Sequence, residues 1–289
     1  MKNIGFVVNL ERDVDGKYLK EVTDWLLAYG LSPIIGHKES KFIDNKSRVA
    51  EGDELYKLSD LIVSLGGDGT MIGAAKKACI HNVPIIGINL GTLGYLTDAA
   101  VGEDGLEALR RVINGDFKVE KRMMLEAAIL DEHKNVVQDG LLALNDVCVL
   151  RGSLPKAMPY SLQINGEYLD KYKADGIIIA TPTGSTAYNL SAGGSILRPD
   201  MECISVNPIC PHKLNPRPLV VSASDVISVE VVDDYQDNAG NEAILSLDCQ
   251  ENFELLKGQS VRIRKAESYV TLLKTNGLGF YDILRMKMH

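Results

Sequence analysis

Apolar and polar positions in the first hundred residues follow two alternating periods. Residues 3–9 form an apolar run, after which Val14, Tyr18, Val22, Trp25, Leu26 and Tyr29 recur at helical spacing until Gly30. The pattern predicts a strand, a helix and a stop at the glycine. A further strand is expected at 33–35, and beyond a polar connection the order returns as strand 60–65, helix 71–80 and strand 83–89. This βαβ rhythm predicts a parallel sheet covered by helices. A helix at 103–114, with Leu106, Leu109, Val112 and Ile113 on one side and Gly115 after it, closes the region.

From Phe117 the texture changes to short runs punctuated by turn residues, predicting strands at 125–130, 140–150, 161–168, 176–180, 226–232, 243–247, 260–264 and 269–274. The fold expected is an α/β N-terminal domain with a parallel sheet, followed by a β-rich, sandwich-like C-terminal domain. The expected division is an α/β domain over 1–100, with 275–289 packing back on it, and a β-rich domain over 101–274. No internal repeat or low-complexity segment interrupts this order.

Composition narrows the partners. A hydrophobic content of 45% and a charged content of 24% are ordinary for a globular chain of 289 residues. No apolar run approaches the roughly 20 residues that span a bilayer, and the N-terminal run is shorter than the roughly 7–15 of a signal-peptide core. The expectation is a cytoplasmic protein with no membrane partner. A net charge of -8 argues against nucleic acid, so any anionic ligand must be met by local groups. Cys79, Cys148, Cys203, Cys210 and Cys249 contain no CxxC pair, and the histidines are scattered, which predicts reduced thiols and assigns no metal-binding residue.

Candidate chemistry begins at Gly66, Gly67, Asp68, Gly69 and Thr70, the sequence GGDGT between a predicted strand and a predicted helix. Bare glycine backbone lets an anion approach closely, and the N-terminus of a helix favours negative charge. Gly66, Gly67, Gly69 and Thr70 are therefore phosphate-binding candidates. Asp68 is the wrong residue to greet a phosphate unless it accepts a proton or holds a metal, the alternative being a helix N-cap. A second glycine-bearing loop, GTLGYLTD at 91–98, leaves the same edge of the predicted sheet.

In the β-rich half, Asn145 and Asp146 interrupt the apolar run LLALNDVCVL. They are read either as a turn satisfied by local backbone or as groups facing a ligand with hydroxyls or ring nitrogens. The segment DGIIIATPTGSTAYNLSAGG at 175–194 carries a strand into hydroxyls and exposed backbone, which suits phosphate or sugar. A solvated turn is the alternative. GxxxxGK[ST], a complete GxGxxG fingerprint, HExxH and GxSxG are all missing.

GGDGT resembles the signature of a kinase superfamily that includes NAD kinases, diacylglycerol and sphingosine kinases, and phosphofructokinases. Taken with NLGTLGYLTD at 89–98, ALND at 143–146, the 175–194 segment, and ICPH and RPLV within 209–220, the chain resembles NAD kinases over nearly its whole length. The resemblance implies transfer of the terminal phosphoryl group of ATP, or of inorganic polyphosphate, to the 2′-hydroxyl of the adenosine ribose of NAD. NADP would be the product, and a divalent cation, Mg2+, would accompany the phosphates. It also implies Asp68 as the catalytic carboxylate, contacting NAD together with Gly69. Asn145 and Asp146 would bind adenine and ribose hydroxyls, and Asp175, Thr186, Ala187, Tyr188, Asn189, Leu190 and Ser191 would complete the dinucleotide site. Lys156, Lys173 and Gln250 are further implied contacts. A homodimer or homotetramer is implied too, with Asp175 and its neighbours serving an adjacent subunit.

Two residues depart from the family pattern. Asp248, Cys249 and Gln250 stand where members often carry Asp-Gly-Gln, and Asp146 where others have Glu. A cysteine in a glycine-favouring conformation costs roughly 1–3 kcal/mol. Two rival readings remain from the motifs: a lipid or sugar kinase sharing only GGDGT, and a non-catalytic dinucleotide sensor, which could dispense with Asp68.

Overall fold

The computed structural model describes residues 1–152, 157–213, 216–232 and 243–288. These divide into two compact units, one of residues 1–121 with 270–289 and one of residues 122–269.

The first unit is α/β. Its elements are β1 (Asn3–Val8), α1 (Lys17–Ala28), β2 (Ser32–Ile35), β3 (Arg48–Val49), α2 (Gly52–Leu58), β4 (Leu61–Gly66), α3 (Asp68–Ile80), β5 (Ile85–Asn89), β6 (Ala99–Ala100) and α4 (Glu103–Ile113). The strands pair in parallel in the order β5-β4-β1-β2-β3, with β6 beside β5. Every residue of β4 and β5 is buried, which is why both read as continuous apolar runs. Ile4, Phe6, Leu61, Val63, Leu65, Ile86 and Ile88 pack against Leu19, Val22 and Leu26 of α1 and Ala108, Leu109 and Val112 of α4. The opposite face meets α2 and α3: a Cβ on Gly5 would fall against Leu55 and one on Gly87 against Met71. Neighbouring strands β1 and β4 thus send their following helices to opposite faces.

The second unit is built from strands. It holds most of β7 (Lys118–Leu130), then β8 (Val136–Ala143), β9 (Asp146–Arg151), β10 (Met158–Ile164), β11 (Glu167–Ala174), β12 (Gly176–Ala180), the short α5 (Tyr188–Ser191), β13 (Cys203–Ile209), β14 (Leu219–Ser222), β15 (Ile227–Val231), β16 (Ala243–Leu247) and β17 (Glu251–Leu255). The chain ends with β18 (Ser260–Lys274) and α6 (Phe280–Met288). One layer runs β14-β13-β12-β9-β16-β17; the other runs β11-β10-β15-β18, with β7 pairing β18 and β8. Alternate residues of both layers, among them Leu125, Val147, Tyr160, Ile177, Val206, Leu245 and Val261, share one core. In the first unit, Leu272 near the end of β18 pairs in parallel with Ile85 of β5.

The α/β unit with its parallel sheet and the β-rich sandwich match the architecture read from the sequence. Several elements differ. Helix α3 starts at Asp68 rather than at residue 71, so the strand-to-helix junction shrinks to Gly67, whose backbone is extended (φ -117°, ψ -167°). The expected strand 161–168 is two strands turned at Asn165 and Gly166, both with positive φ (53° and 80°), the hairpin chemistry of an Asn-Gly pair. The run 140–150 breaks between β8 and β9 at Leu144 and Asn145. Residues 260–274 form one strand where two were expected. The polar connection before residue 60 contains α2, and β13 and β17 were not expected.

Candidate active site

In the first unit, Asp68 is the first residue of α3 and is half-buried. Its carboxylate accepts hydrogen bonds from the backbone N–H groups of Tyr95 (2.8 Å, to Oδ2) and Leu96 (3.1 Å, to Oδ1). Asp68 is therefore the first residue of the helix and not its N-cap, and its carboxylate is oriented by the second glycine loop. Gly94 leaves the necessary space, since a Cβ there would fall inside contact distance of the Asp68 carboxylate. The loop is itself pinned. The Gly94 N–H donates to Thr97 Oγ1 (2.7 Å), Gly91 N–H to Asn89 Oδ1 (2.9 Å), and buried Lys274 to the carbonyls of Leu96 (3.0 Å) and Thr97 (2.9 Å). Burial, and behind it the Asp68 charge, pushes the Tyr95 phenol above its usual range.

The packing leaves little room for a side chain on Gly66, the buried last residue of β4, or on half-buried Gly67. A side chain on Gly66 would collide with Thr70, while a Cβ on Gly67 would lie 3.3 Å from the Arg12 guanidinium. Gly69 is exposed on the first turn of the helix. Hence the GGDGT segment presents a glycine-flanked helix N-terminus beside one fixed carboxylate.

In the second unit, Asn145 and Asp146 stand where β8 gives way to β9. The break costs little because Asp248, 7% exposed, turns its carboxylate onto it. Asp248 accepts from the N–H groups of Leu144 (3.0 Å), Asn145 (2.7 Å) and Asp146 (3.1 Å). The Asn145 carbonyl accepts from the Thr181 N–H (2.8 Å), and Thr181 Oγ1 donates to the Leu144 carbonyl (2.6 Å). The backbone of the turn is thus satisfied by Asp248 and Thr181 rather than by the side chain of half-buried Asn145. Asp146 is 2% exposed and accepts a thiol hydrogen bond from Cys148 (3.3 Å).

The 181–194 segment covers that same sheet face. Tyr188 packs on Cys148, Ile178 and Ala180 with Ala192 and Leu150. Burial first, then the thiols of Cys148, Cys249 and Cys210 and the Asp146 charge, raises the Tyr188 phenol. Asn189 is fully buried and its amide is spent internally: it donates to the Ser185 (3.4 Å) and Ser195 (3.3 Å) carbonyls and accepts from Ser205 (3.2 Å) and Asn207 (3.3 Å). Thr186 and Ala187 are half-buried, and Leu190 and Ser191 exposed. Asp175, at the end of β11, accepts from Arg151 Nε (2.9 Å). Lys173 is exposed on β11, and Lys156 lies outside the described residues.

The turn between β16 and β17 holds both Asp248 (φ 53°) and Cys249 (φ 56°) in the left-handed region. Asp adopts this conformation readily; cysteine does so at a cost of order 1–2 kcal/mol. Cys249 and Gln250 are exposed, and burial, then Asp146 and Asp248, raise the Cys249 thiol.

Two residues escaped the sequence reading, Arg12 and Asp248. Arg12 lies in the polar tail NLERD after the first strand, where only its position beyond a strand end could have marked it. Asp248 belongs to the Asp-Cys-Gln turn, and no local pattern marks it as the residue that closes the turn at 144–146. Among the described residues no three His, Cys, Asp or Glu side chains converge to hold a metal ion, and no helix is long and apolar enough to cross a membrane.

A doubly wound parallel sheet that offers glycine backbone and one oriented carboxylate at a helix N-terminus, followed in the chain by a β-sandwich with a polar turn at Asn145 and Asp146, defines a phosphotransferase of the GGDGT class. Residues 4–117 match the ATP-NAD kinase N-terminal domain and residues 144–275 the ATP-NAD kinase C-terminal domain. An NAD kinase of Caldanaerobacter subterraneus subsp. tengcongensis is 37% identical over 100% of this chain and 99% of its own; one of Geotalea daltonii is 39% identical over 93% and 92%. Yeast NADH kinase, solved in complex with NADH, superimposes with a TM-score of 0.86 at 25% identity, covering 99% of this chain and 86% of that one. An Archaeoglobus fulgidus NAD kinase in complex with ATP gives 0.72 at 26% identity over 98% and 97%. The chain belongs to the NAD kinase family, kinases that phosphorylate NAD to NADP.

Proposed function

We propose that this NAD kinase moves the terminal phosphoryl group of ATP onto the 2′-hydroxyl of the adenosine ribose of NAD, with Asp68 as the catalytic carboxylate. The observation that carries this is the orientation of Asp68: both oxygens are fixed by backbone N–H donors while the residue remains half-buried between Gly67 and Gly69. The ribose oxygen bonds to the γ-phosphorus, the bond from that phosphorus to the β,γ-bridging oxygen breaks, and ADP leaves. The hydroxyl proton passes to Asp68. In a loose transition state the nucleophile bonds little, so alignment and charge neutralisation matter more than early deprotonation. Asp68 orients first and accepts the proton late.

Gly66, Gly67, Gly69 and Thr70 take the donor phosphates, Gly69 also touching NAD. Asn145 faces adenine and Asp146 the ribose hydroxyls; Thr186, Ala187, Tyr188, Leu190, Ser191, Asp175, Lys173, Lys156 and Gln250 complete the dinucleotide contacts. Asn189, its amide already committed, contributes by placing Tyr188 and Leu190. The divalent cation, Mg2+, is assigned to the ATP phosphates as part of the substrate, a habit of that ion.

Polyphosphate is proposed as an alternative donor, a reducing cytoplasm as the compartment, and a homodimer or homotetramer as the assembly. Exposed apolar residues on β11 (Tyr168, Leu169) and on the edge strand β14 (Leu219, Val220) support the last. Purified protein given NAD, ATP and magnesium should form NADP, read by an NADP-specific dehydrogenase; no NADP with either donor refutes the reading. Light scattering tests the assembly, and a fully active monomer excludes it.

A further inference from the structure

We propose that Arg12 is a binding residue for the phosphate chain of the phosphoryl donor, an inference that rests on the kinase reading above. Strands β1 and β4 are parallel neighbours, yet β1 continues into α1 on one face of the sheet and β4 into α3 on the other. Such a reversal opens a crevice beyond the carboxyl ends of the two strands, the usual place for a ligand in an open α/β sheet. One wall of that crevice is Gly67 and the first turn of α3. The other is the loop after β1, which carries Arg12.

The loop is anchored on both sides of Arg12. Asn9 N–H donates to the Leu65 carbonyl (2.8 Å), extending the β1–β4 pairing by one residue, and the N–H groups of Arg12 and Asp13 return to the Asn9 carbonyl (both 3.1 Å). Buried Asp13 then accepts from the N–H groups of Tyr18 (3.1 Å) and Leu19 (3.0 Å) at the start of α1. So the Arg12 backbone is held, while its side chain is exposed. Its guanidinium lies 3.3 Å from the position a Cβ on Gly67 would occupy and 3.6 Å from that of Gly91. The cation thus sits over two stretches of bare backbone, one from each glycine loop.

Among the described residues the Arg12 guanidinium makes no hydrogen bond or ion pair. Arg48, Arg110, Arg111 and Arg285, the other arginines of this unit, each pair with a carboxylate. In a chain of net charge -8, an arginine kept without a counter-ion beside the start of a helix has room for an anion. The Asp68 carboxylate is no such partner, being committed to Tyr95 and Leu96. A guanidinium offers a planar fork of donors that matches phosphate oxygens two at a time, and the missing side chains at Gly67 and Gly91 let those oxygens reach it. A linear phosphoanhydride chain has the charge and the unbranched shape for this place, whether it belongs to a nucleoside triphosphate or to inorganic polyphosphate.

The test uses the full-length enzyme with Arg12→Ala, Arg12→Gln and Arg12→Lys, titrating ATP at saturating NAD and NAD at saturating ATP. Loss of a charged, two-pronged contact should raise KM for ATP about 10- to 100-fold in the Ala and Gln variants, with partial recovery in Lys. KM for NAD should stay within about threefold, and the inhibition constant of inorganic tripolyphosphate against ATP should rise by the same factor as KM for ATP. An unchanged KM for ATP overturns the assignment. A rise confined to NAD gives Arg12 to the acceptor, and an unchanged tripolyphosphate constant gives it to the nucleoside end; each also overturns it. Failure of the wild-type enzyme to make NADP would instead sink the kinase reading. Should Arg12→Ala fold poorly, Arg12→Gln, close in size on an exposed loop, carries the same decision.

Discussion

Replacing Asp248 by Asn probes whether the Asn145–Asp146 turn, proposed above to recognise NAD, is held by that one carboxylate. Asn is nearly isosteric and, like Asp, tolerates the left-handed backbone that residue 248 adopts (φ 53°), so the change isolates the hydrogen bonds. Oδ1 accepts from the N–H groups of Asn145 and Asp146, and Oδ2 from that of Leu144. With the amide oxygen kept on the first two, the new NH2 faces the Leu144 N–H, donor against donor in a buried place. Such an unmet donor costs about 1–3 kcal/mol, and loss of the charge weakens the two remaining bonds. At about 1.4 kcal/mol per tenfold, KM for NAD should rise roughly 10- to 100-fold if the turn must be formed to bind. The thermal midpoint should fall by about 2–10 °C. Because Asp68 belongs to the other unit, kcat should stay within about threefold. Steady-state kinetics with a melting curve on the same preparation reads all three quantities. A lowered midpoint with an unchanged KM for NAD would refute the reasoning, since Asp248 would then hold the sandwich without placing Asn145 and Asp146.

Other perturbations have separable signatures. Gly94→Ala puts a methyl against the Asp68 carboxylate, the movable end of a side chain, so the fold should survive with its midpoint within about 3 °C while kcat drops at least about 100-fold. Gly184→Ala meets the backbone carbonyl of Asn145 instead, and overpacking of about 1–3 kcal/mol should lower the midpoint and raise KM for NAD together. Cys249→Gly relieves a left-handed cysteine worth about 1–2 kcal/mol but returns about 0.5–1 kcal/mol of unfolded-state entropy, so the midpoint should rise by about 1–4 °C; a fall contradicts the strain argument. Since burial, Asp146 and Asp248 push the Cys249 thiol up, its alkylation near pH 8 should lag that of free cysteine and accelerate only at higher pH, as peptide mapping would show. Equal rates at pH 8 would contradict that cause.

How far the sequence speaks for itself depends on how local the determinant is. Strands β4 and β5 and the helix before Gly115 were legible because burial on both sheet faces, or on one helical stripe, writes a period into the chain. The start of α3 was not, because Gly67 and Gly69 have poor helix propensity and only packing against the sheet draws Asp68 into the first turn. The Asn165-Gly166 hairpin carried a local signal inside an apolar run that looked like one strand. Strand β13 hid behind Pro208 and Asn207, and its polar side is explained only by the buried Asn189 that it meets. At the site the sequence marked what is unusual in type: glycines, one carboxylate, a polar pair inside an apolar run. It could not show that the Asp68 carboxylate is aimed by amides 27 and 28 residues away, or that Asp248 reaches back more than 100 residues to Leu144. Such bonds leave no period, because they depend on which loops the sheet order brings to one edge.

The central claim is that Asp68 orients the acceptor hydroxyl and takes its proton, and Asp68→Asn tests it most directly. Asn keeps the size of the side chain, accepts from one of the Tyr95 and Leu96 amides, and removes the base, which should cost about 10²–10⁴ in rate plus whatever alignment is lost. Single-turnover formation of NADP from enzyme preloaded with NAD, alongside calorimetric NAD binding, separates chemistry from affinity. The account predicts NAD affinity within about tenfold of wild type and the loss of nearly all turnover. Near-normal turnover in Asp68→Asn would contradict it.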